Sequence, residues 1–153
     1  MAHTREKGWE MKKGTVVKTF QVMPFTPKGY EGQFESKMLI DRTNSASEKL
    51  QVNQFVLKPG CRTEGAIHQE PYDEIYYVLS GQAILHLGEE AYDIGKDTII
   101  FIPGGTFHSL DNKSQTEDFV LLTIWHTHPE KGVNEVYDMR KEAWGKTFRK
   151  IGE

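Results

Sequence analysis

Two histidine-containing clusters in this 153-residue chain carry residue types that bind divalent metal ions. The first cluster runs from His68 to Glu74, and the second runs from Pro103 to Asn112 and contains His108. Imidazole nitrogens and carboxylate oxygens together suit a divalent first-row metal. A lone histidine is usually a surface or core residue, so the spacing within these clusters is what indicates a metal site.

Strand geometry allows these side chains to converge. Residues two apart in an extended strand point to the same face, so His68, Glu70 and Glu74 share one parity. They can meet if the segment around Pro71 bends, and His108 can approach them from a neighbouring strand after its Gly-rich turn. Rigid strands would then hold the remaining metal positions open for a substrate.

The two clusters resemble the two sequence motifs of the cupin superfamily. The first-motif positions are His68, Glu70, Glu74 and Gly81. The second-motif positions are Pro103, Gly105, His108 and Asn112. The resemblance covers roughly Leu50 to Trp125 and implies an all-β, double-stranded β-helix (jelly-roll) barrel. It also implies one divalent metal ion per chain (Fe, Mn, Ni, Co or Zn) at one mouth of the barrel, a small-molecule substrate and a homodimer.

One departure from the family pattern changes the metal site. Glu70 stands where the family usually has its second motif histidine. By resemblance, the metal ligands become His68, Glu70, Glu74 and His108. Two carboxylates neutralise a divalent ion and make the site harder and richer in oxygen, which favours Mn²⁺, Fe²⁺, Ni²⁺ or Co²⁺ over Cu(I).

A second interpretation leaves Glu70 off the metal. His68, Glu74 and His108 would then form the two-His-one-carboxylate triad of non-haem iron oxygenases. Glu70 would be a candidate general base beside the substrate. Tyr76 shares the parity of Glu74 and is a second candidate for acid–base catalysis, although a buried tyrosine is more often a packing residue.

Two further residues are predicted to reach the substrate. The motif-opening glycines, Gly60 and Gly95, lie two residues early, so the loop that contains Arg62 is altered. Arg62 is therefore a candidate substrate-binding residue at the pocket mouth, where a neutral metal site attracts an anion only weakly. Trp125, at the end of the last predicted strand, is a candidate pocket wall.

Short strands with turn residues between them predict the scaffold that positions the clusters. Such segments recur about every eight to twelve residues, which is typical of a β-sandwich or barrel. The predicted strands are Thr15–Val22, Phe34–Asp41, Leu50–Leu57, Glu74–Leu79, Gln82–Leu87, Glu90–Ile94, Thr98–Ile102, Thr106–Leu110 and Asp118–Trp125. An apolar stripe over Val136–Arg149 predicts one late helix. We therefore expect a flexible arm at 1–13, a barrel at 14–130 and a short C-terminal helical extension at 131–153.

Composition narrows the partners and the compartment. The net charge is −3 and the 19 Lys and Arg residues form no basic stripe, so a nucleic-acid partner is not expected. No segment is long and apolar enough for a membrane helix, so no membrane partner is expected. The single cysteine, Cys61, cannot form an internal disulfide, which favours a reducing, cytoplasmic location.

Three classes of function fit these observations. The first is a non-haem, metal-dependent dioxygenase acting on a small organic molecule. The second is a redox-neutral metal-dependent isomerase, epimerase or lyase acting on a sugar or carboxylic acid, in which the metal is a Lewis acid. The third is a non-catalytic cupin that binds a small ligand. The complete set of donors at ligand spacing favours an enzyme, with the dioxygenase as the leading hypothesis.

Overall fold

The computed structural model describes residues 12–63, 65–67, 72–126 and 149–152, with Arg149 described by its backbone alone. In this part of the chain, ten β-strands and one 3₁₀ helix (Thr19–Gln21) form the regular structure. The strands are β1 (Phe34–Ile40), β2 (Leu50–Leu57), β3 (Cys61–Arg62), β4 (Glu74–Ser80), β5 (Gln82–Leu87), β6 (Glu90–Gly95), β7 (Ile99–Ile102), β8 (His108–Asp111), β9 (Phe119–His126) and β10 (Arg149–Lys150).

The strands form two antiparallel five-stranded sheets that face each other. The first sheet has the order β1-β2-β9-β4-β7, and the second has the order β10-β3-β8-β5-β6. Most neighbours in a sheet are distant in sequence, since β9 lies between β2 and β4, and β8 lies between β3 and β5. The architecture is the all-β, double-stranded β-helix barrel that the sequence predicts.

The core fills the space between the sheets. Burial alternates along β2, β4, β5 and β9, so every second side chain points inward, as period-two strand geometry requires. The apolar side chains of this core include Phe34, Phe55, Leu57, Tyr76, Val78, Leu85, Ile94, Ile102, Leu110, Phe119 and Leu121. Each such side chain contributes about 1.5–3 kcal/mol when it leaves water, and together they make a rigid support for the polar residues among them.

The central strands agree closely with the sequence prediction. β2 and β5 have the predicted bounds, and the strands predicted at Phe34–Asp41, Glu74–Leu79, Glu90–Ile94, Thr98–Ile102, Thr106–Leu110 and Asp118–Trp125 shift by at most two residues at either end. Turn residues explain the agreement. Gly81 adopts a φ of 80°, which glycine tolerates readily, and it separates β4 from β5.

The strand predicted at Thr15–Val22 is wrong. Residues 12–18 have no regular structure, and Thr19–Gln21 form the 3₁₀ helix. A strand needs a neighbour that pairs with its backbone. This segment lies along no sheet edge, and Val16 is 91% exposed. From residue 12 onward, the first pairing with the barrel comes later, where Phe25 and Ser36 form an isolated antiparallel bridge.

The predicted helix at Val136–Arg149 lies outside the described residues except at its last residue. There the backbone of Arg149 begins β10, which pairs with β3 instead of continuing a helix. Both strands have only two residues, too few to give a periodic sequence signal. Within the described residues, no helix is long and apolar enough to cross a membrane.

Candidate metal centre

The first residues of β4 and β8 meet inside the barrel. Glu74 begins β4 in the first sheet and is 2% exposed, and His108 begins β8 in the second sheet and is 3% exposed. Glu74 Oε1 and His108 Nε2 lie 3.4 Å apart. The barrel therefore brings Glu74 of the first motif close to His108 of the second.

The ring of His108 is held in one orientation by the backbone. Its Nδ1 lies 3.0 Å from the carbonyl oxygen of Thr106, to which it donates a hydrogen bond when it carries the proton. Its backbone exchanges hydrogen bonds of 2.9 and 3.0 Å with Ala66. A histidine that donates from Nδ1 presents the Nε2 lone pair, the arrangement that metal-binding histidines use. The Nε2 atom faces Glu74 Oε1.

Asp73 fixes the two motif segments relative to each other. Its Oδ1 accepts a hydrogen bond of 3.0 Å from the backbone N–H of Gly104, in the turn that precedes His108. The same turn is closed by a hydrogen bond of 3.2 Å from Thr106 N to Pro103 O. Since Asp73 immediately precedes Glu74, this contact positions both members of the buried pair.

The motif asparagine has a structural role. Asn112 is fully buried, and its amide donates to the carbonyl oxygens of Leu57 and Glu117 at 3.0 and 2.9 Å. Its Oδ1 accepts a hydrogen bond of 3.1 Å from Ser114 N. Asn112 thus connects the end of β8 to the end of β2, and its amide is used in hydrogen bonds to the backbone.

A small cavity lies beside His108. Its free volume is about 10 Å³, which holds roughly one water molecule or one hydroxyl group. The described residues that line it are Phe55, Thr63, Gly65, Ala66, Tyr76, His108, Ser109, Leu110 and Thr123. Tyr76 packs edge-on against His108 with the ring centroids 5.9 Å apart. The cavity therefore joins an imidazole, a phenol and a threonine in the barrel interior.

The sequence profile described as "Cupin domain" matches residues 53–130, half of the chain. The chain belongs to the cupin family. The match includes both motif segments and the whole course of the chain from the middle of β2 to beyond β9. Cupins bind small molecules and commonly hold a metal ion. Inside this cupin barrel, Glu74 occupies a position of the first motif and His108 occupies the histidine position of the second.

Curated relatives and solved structures agree on the fold. The chain is 26% identical over 120 residues to an oxalate-binding protein of Thermotoga maritima, covering 74% of this chain and 98% of the relative. Among solved structures, KdgF of a Halomonas species has a TM-score of 0.64 at 15% identity, covering 76% and 96% of the two chains. The polyketide cyclase RemF of Streptomyces resistomycificus has a TM-score of 0.64 at 20% identity, covering 78% and 81%.

The buried pair fits half of a cupin metal site. Protein nitrogen and oxygen ligands lie about 2.0–2.2 Å from a first-row divalent metal, so two adjacent ligands are about 3 Å apart. The separation of 3.4 Å between Glu74 Oε1 and His108 Nε2 is close to this value. His68 and Glu70 lie outside the described residues, and within those residues no three His, Cys, Asp or Glu side chains form a cluster that could hold a metal.

Trp125 lies beside the pair on the inward parity of β9. Its register partners are Gln51 on β2 and Glu74 on β4, so it stands in the same cross-strand row as the acid. The structure therefore places Trp125 next to the candidate site. Tyr76 stands one inward position further along β4, which puts both residues on the inner wall.

Arg62 does not lie at the interior cavity. Cys61 takes the inward position of β3, so Arg62 points to the outer face of the second sheet. There it lines an open groove of about 530 Å³ together with His86, Ser109 and Asp111. His86 Nε2 lies 3.2 Å from Asp111 Oδ2 in this groove. Arg62 thus lines this groove and is not among the residues that line the cavity beside His108.

Sequence reasoning missed a row of buried polar residues on the first sheet. Gln51 and Asn53 point inward from β2, and Thr123 points inward from β9. The register places Asn53 opposite Thr123, and Thr123 opposite Tyr76. Polar residues on a strand usually face water, so the sequence of β2 alone would place Gln51 and Asn53 on the solvent-facing side. Phe55 and Leu57 indicate the contrary, because they lie on the same face of β2 as the two amides.

Proposed function

We propose that this cupin binds one divalent metal ion at His68, Glu70, Glu74 and His108 and acts as a metal-dependent enzyme on a small organic molecule. The observation that carries the proposal is the buried Glu74–His108 pair, with its oxygen and nitrogen 3.4 Å apart. A buried carboxylate and imidazole are costly unless a partner or a metal compensates them. When bound, the metal would supply either O₂ activation or Lewis-acid polarisation of a substrate.

The leading candidate is a non-haem dioxygenase. His68, Glu74 and His108 would be the two-His-one-carboxylate ligands, and Glu70 would be free to take a proton from the substrate. The chain's own contribution is orientation. Thr106 holds the His108 ring, and Asp73 holds the turn before it. Neither hydrogen bond involves His108 Nε2 or the carboxylate of Glu74, which are the groups that would bind the metal.

One observation favours a redox-neutral isomerase, epimerase or lyase as the second candidate. Tyr76 is buried with its ring against His108 and lines the cavity, so its hydroxyl is a candidate proton donor or acceptor for a bound substrate. Because one relative is an oxalate-binding protein, a small acid is a reasonable first ligand to test. A non-catalytic binding cupin is the outcome if no turnover accompanies binding.

Metal analysis and oxygen uptake separate these candidates. Protein purified without added metal or chelator is analysed by plasma mass spectrometry, and O₂ consumption is then followed with a panel of small acids and phenols. About one iron per chain with substrate-dependent O₂ uptake supports the dioxygenase. Manganese, nickel, cobalt or zinc without O₂ uptake supports the redox-neutral enzyme. A chain that takes up no metal on soaking contradicts the proposal.

Variants of Glu70 test whether it is a ligand or a base. Glu70→His restores the usual ligand type, so the protein should keep its metal. Loss of turnover in that variant, with metal retained, supports the base role. Full turnover in Glu70→Gln contradicts the base role, because glutamine cannot accept the proton.

The proposed assembly is a homodimer in the cytoplasm. The edge strand β7 presents Ile99 and Phe101 at 68% and 59% exposure, an apolar surface that a second copy would cover. Light scattering after gel filtration should show a dimer that Phe101→Lys converts to monomer. Tyr92→Lys, an exposed aromatic on the second sheet, is the matched control and should stay dimeric. Cys61 is buried and is the single cysteine of the sequence, which supports a reducing compartment.

A further inference from the structure

The first sheet is apolar on both of its faces. Its inner face packs on the core, and the outward positions that alternate with the buried ones are also mostly apolar. We call the apolar outward side chains the outer face: Val52, Val56, Ile75, Tyr77, Leu79, Ile99, Phe101, Val120, Leu122 and Ile124. An antiparallel sheet that meets water on one side normally carries polar residues there, so an apolar outer face indicates a partner that covers it.

The strand register makes the outer face continuous. Ile124 on β9 is paired with Val52 on β2 and with Ile75 on β4. Ile75 is paired in turn with Phe101 on β7, so one apolar row crosses four strands. The second sheet differs, because its outward positions include Arg62, His86, Asp93, Ser109 and Asp111. The first sheet is therefore the one that presents an apolar docking surface.

A second exposed apolar surface lies on residues 12–24, which we call the N-terminal segment. Val16, Phe20 and Met23 are 91%, 77% and 82% exposed, the highest values among the large apolar side chains of the described residues. The chain's own outer face therefore does not cover them. A single partner that has both a sheet face and such a segment would cover both surfaces, and a second copy of this chain has both.

The N-terminal segment is long enough to cross a sheet of a second copy. It joins its own barrel at the edge strand β1, where Phe25 bridges Ser36 and Lys37 Nζ donates a hydrogen bond of 3.3 Å to Thr19 O. The opposite edge strand, β7, lies four strands away, or about 19 Å at about 4.8 Å per strand. Residues 12–18 have no regular structure and span up to about 23 Å when extended.

Charge also favours this occupant. The N-terminal segment contains Lys12, Lys13 and Lys18 and no acidic residue, whereas the whole chain has a net charge of −3. The barrel of a second copy is therefore acidic and attracts the basic segment. Exchange about a twofold axis would bury each segment and each outer face once per copy, as an isologous interface requires.

We propose that the outer face of the first sheet binds the N-terminal segment of a second copy, and that the two copies exchange these segments. Val16, Phe20 and Met23 of one copy then pack on the apolar row of the other. The inference rests on the proposed homodimer and extends it. The interface includes the whole outer face together with the segment, and is not confined to the exposed edge at β7.

Cross-linking between two differently sized chains tests the exchange. Full-length chains that carry Phe20→Cys are mixed with tagged chains that carry Leu122→Cys, and a short bismaleimide is added. Exchange predicts a product of one tagged and one untagged chain on a denaturing gel. Phe20→Cys mixed with tagged Tyr92→Cys, on the second sheet, is the matched control and should give little of this product. Cross-links that join only Leu122→Cys chains would show that the faces meet without the segments, and would overturn the proposal.

A charge placed in the N-terminal segment gives an independent readout. Phe20→Asp should weaken dimerisation at least about tenfold in analytical ultracentrifugation, because the charge would be buried against an apolar face. Gln21→Asp adds the same charge at the neighbouring exposed polar residue and should stay within about threefold of wild type. Phe20 is exposed in the single chain, so the variant should fold. A Phe20→Asp variant that dimerises as tightly as Gln21→Asp overturns the role of the segment.

The remaining outcomes separate this inference from the rest of the proposed function. A dimeric wild type without the mixed cross-link overturns the exchange and leaves the homodimer intact. A monomeric wild type overturns both, while Mn²⁺ titration of the same protein tests the metal site separately. Vesicles of phosphatidylserine and phosphatidylcholine test a membrane as the other occupant. If a monomeric wild type binds them and Phe20→Asp does not, the segment is a membrane contact and the proposal is overturned.

Discussion

Two imidazole–carboxylate pairs among the described residues differ in their surroundings. His108 and Glu74 face each other in the interior at 3.4 Å, and His86 and Asp111 face each other in the outer groove at 3.2 Å. The side chains of the inner pair are 3% and 1% exposed, whereas those of the outer pair are 41% and 16% exposed. The same residue types at nearly the same distance therefore experience different dielectric environments.

Anchoring distinguishes the pairs further. His108 donates from Nδ1 to Thr106, so its Nε2 is directed at Glu74 by a second contact. His86 uses Nε2 for its carboxylate, and solvent reaches the pair. Short distance alone thus says little about function. Burial, a fixed ring and a neighbouring cavity are what make the inner pair a candidate metal centre.

The largest expected effect is on metal affinity when the inner carboxylate is neutralised. Glu74→Gln should lower the affinity for Mn²⁺ at least about 100-fold, because even outer partners of metal ligands are worth 10–100-fold. Asp111→Asn, the matched change in the outer pair, should leave the affinity within about twofold. Calorimetric titration measures both. Equal losses in the two variants would remove the functional distinction between the pairs.

A large effect on stability is expected where a glycine lies close to Phe107 and to the backbone of His108. Gly65 has a φ of 113°, and a Cβ there would lie 2.4 Å from the ring of Phe107 and 3.0 Å from His108 O. Gly65→Ala should cost roughly 2–4 kcal/mol of unfolding free energy from backbone strain and overpacking.

Gly88 in the outer groove is the matched control for this prediction. It also has a positive φ, of 60°, but a Cβ added there would have no atom within 4 Å. Gly88→Ala should therefore cost only about 1 kcal/mol. Urea denaturation measures both changes. A Gly65→Ala variant as stable as Gly88→Ala would show that the contact with Phe107 relaxes freely.

The contact of Asp73 with the turn should have a smaller effect. Asp73→Ala removes the acceptor for Gly104 N, so we expect a loss of about 1–2 kcal/mol in stability and about tenfold in metal affinity. Asp73→Asn keeps an acceptor oxygen and should recover most of both. If Asp73→Asn behaves like Asp73→Ala, the charge of Asp73 matters more than its hydrogen bond. Denaturation and Mn²⁺ titration of the same samples provide the two readouts.

The smallest expected effect belongs to the outer pair itself. Exposed ion pairs contribute about 0–1 kcal/mol and are screened by salt. His86→Gln should therefore change the unfolding free energy by less than about 1 kcal/mol, and the difference should shrink in 1 M NaCl. A loss that persists in high salt would mean that His86 has a structural role beyond this pair.

Sequence could predict the central strands and one contact of the site. Regular turns separate the strands after Leu50, and the second motif places His108 at a strand start, from which it can approach Glu74. The prediction of an N-terminal strand fails because β-branched residues at Thr15–Val22 give propensity but no pairing partner. Propensity is a weak guide when no neighbour satisfies the backbone.

The rest of the inner wall depends on strand parity that the sequence does not reveal. The sequence predicts Arg62 at the pocket mouth, but its neighbour Cys61 takes the inward position, and a shift of one residue reverses the face. Asn53 escapes prediction because its polar side chain resembles an outward residue. The hydrogen bond from Gly104 to Asp73 joins residues 31 positions apart, and only the folded chain brings them together.

The most direct test of the metal centre compares the two histidines. Wild type, His108→Gln and His86→Gln are stripped of metal, checked for intact melting transitions and titrated with Mn²⁺ under electron paramagnetic resonance. Wild type and His86→Gln should each bind about one ion per chain with affinities within about twofold, and His108→Gln should lose at least about 100-fold. A His108→Gln variant that binds one ion as tightly as wild type would contradict the assignment of the inner pair as metal ligands.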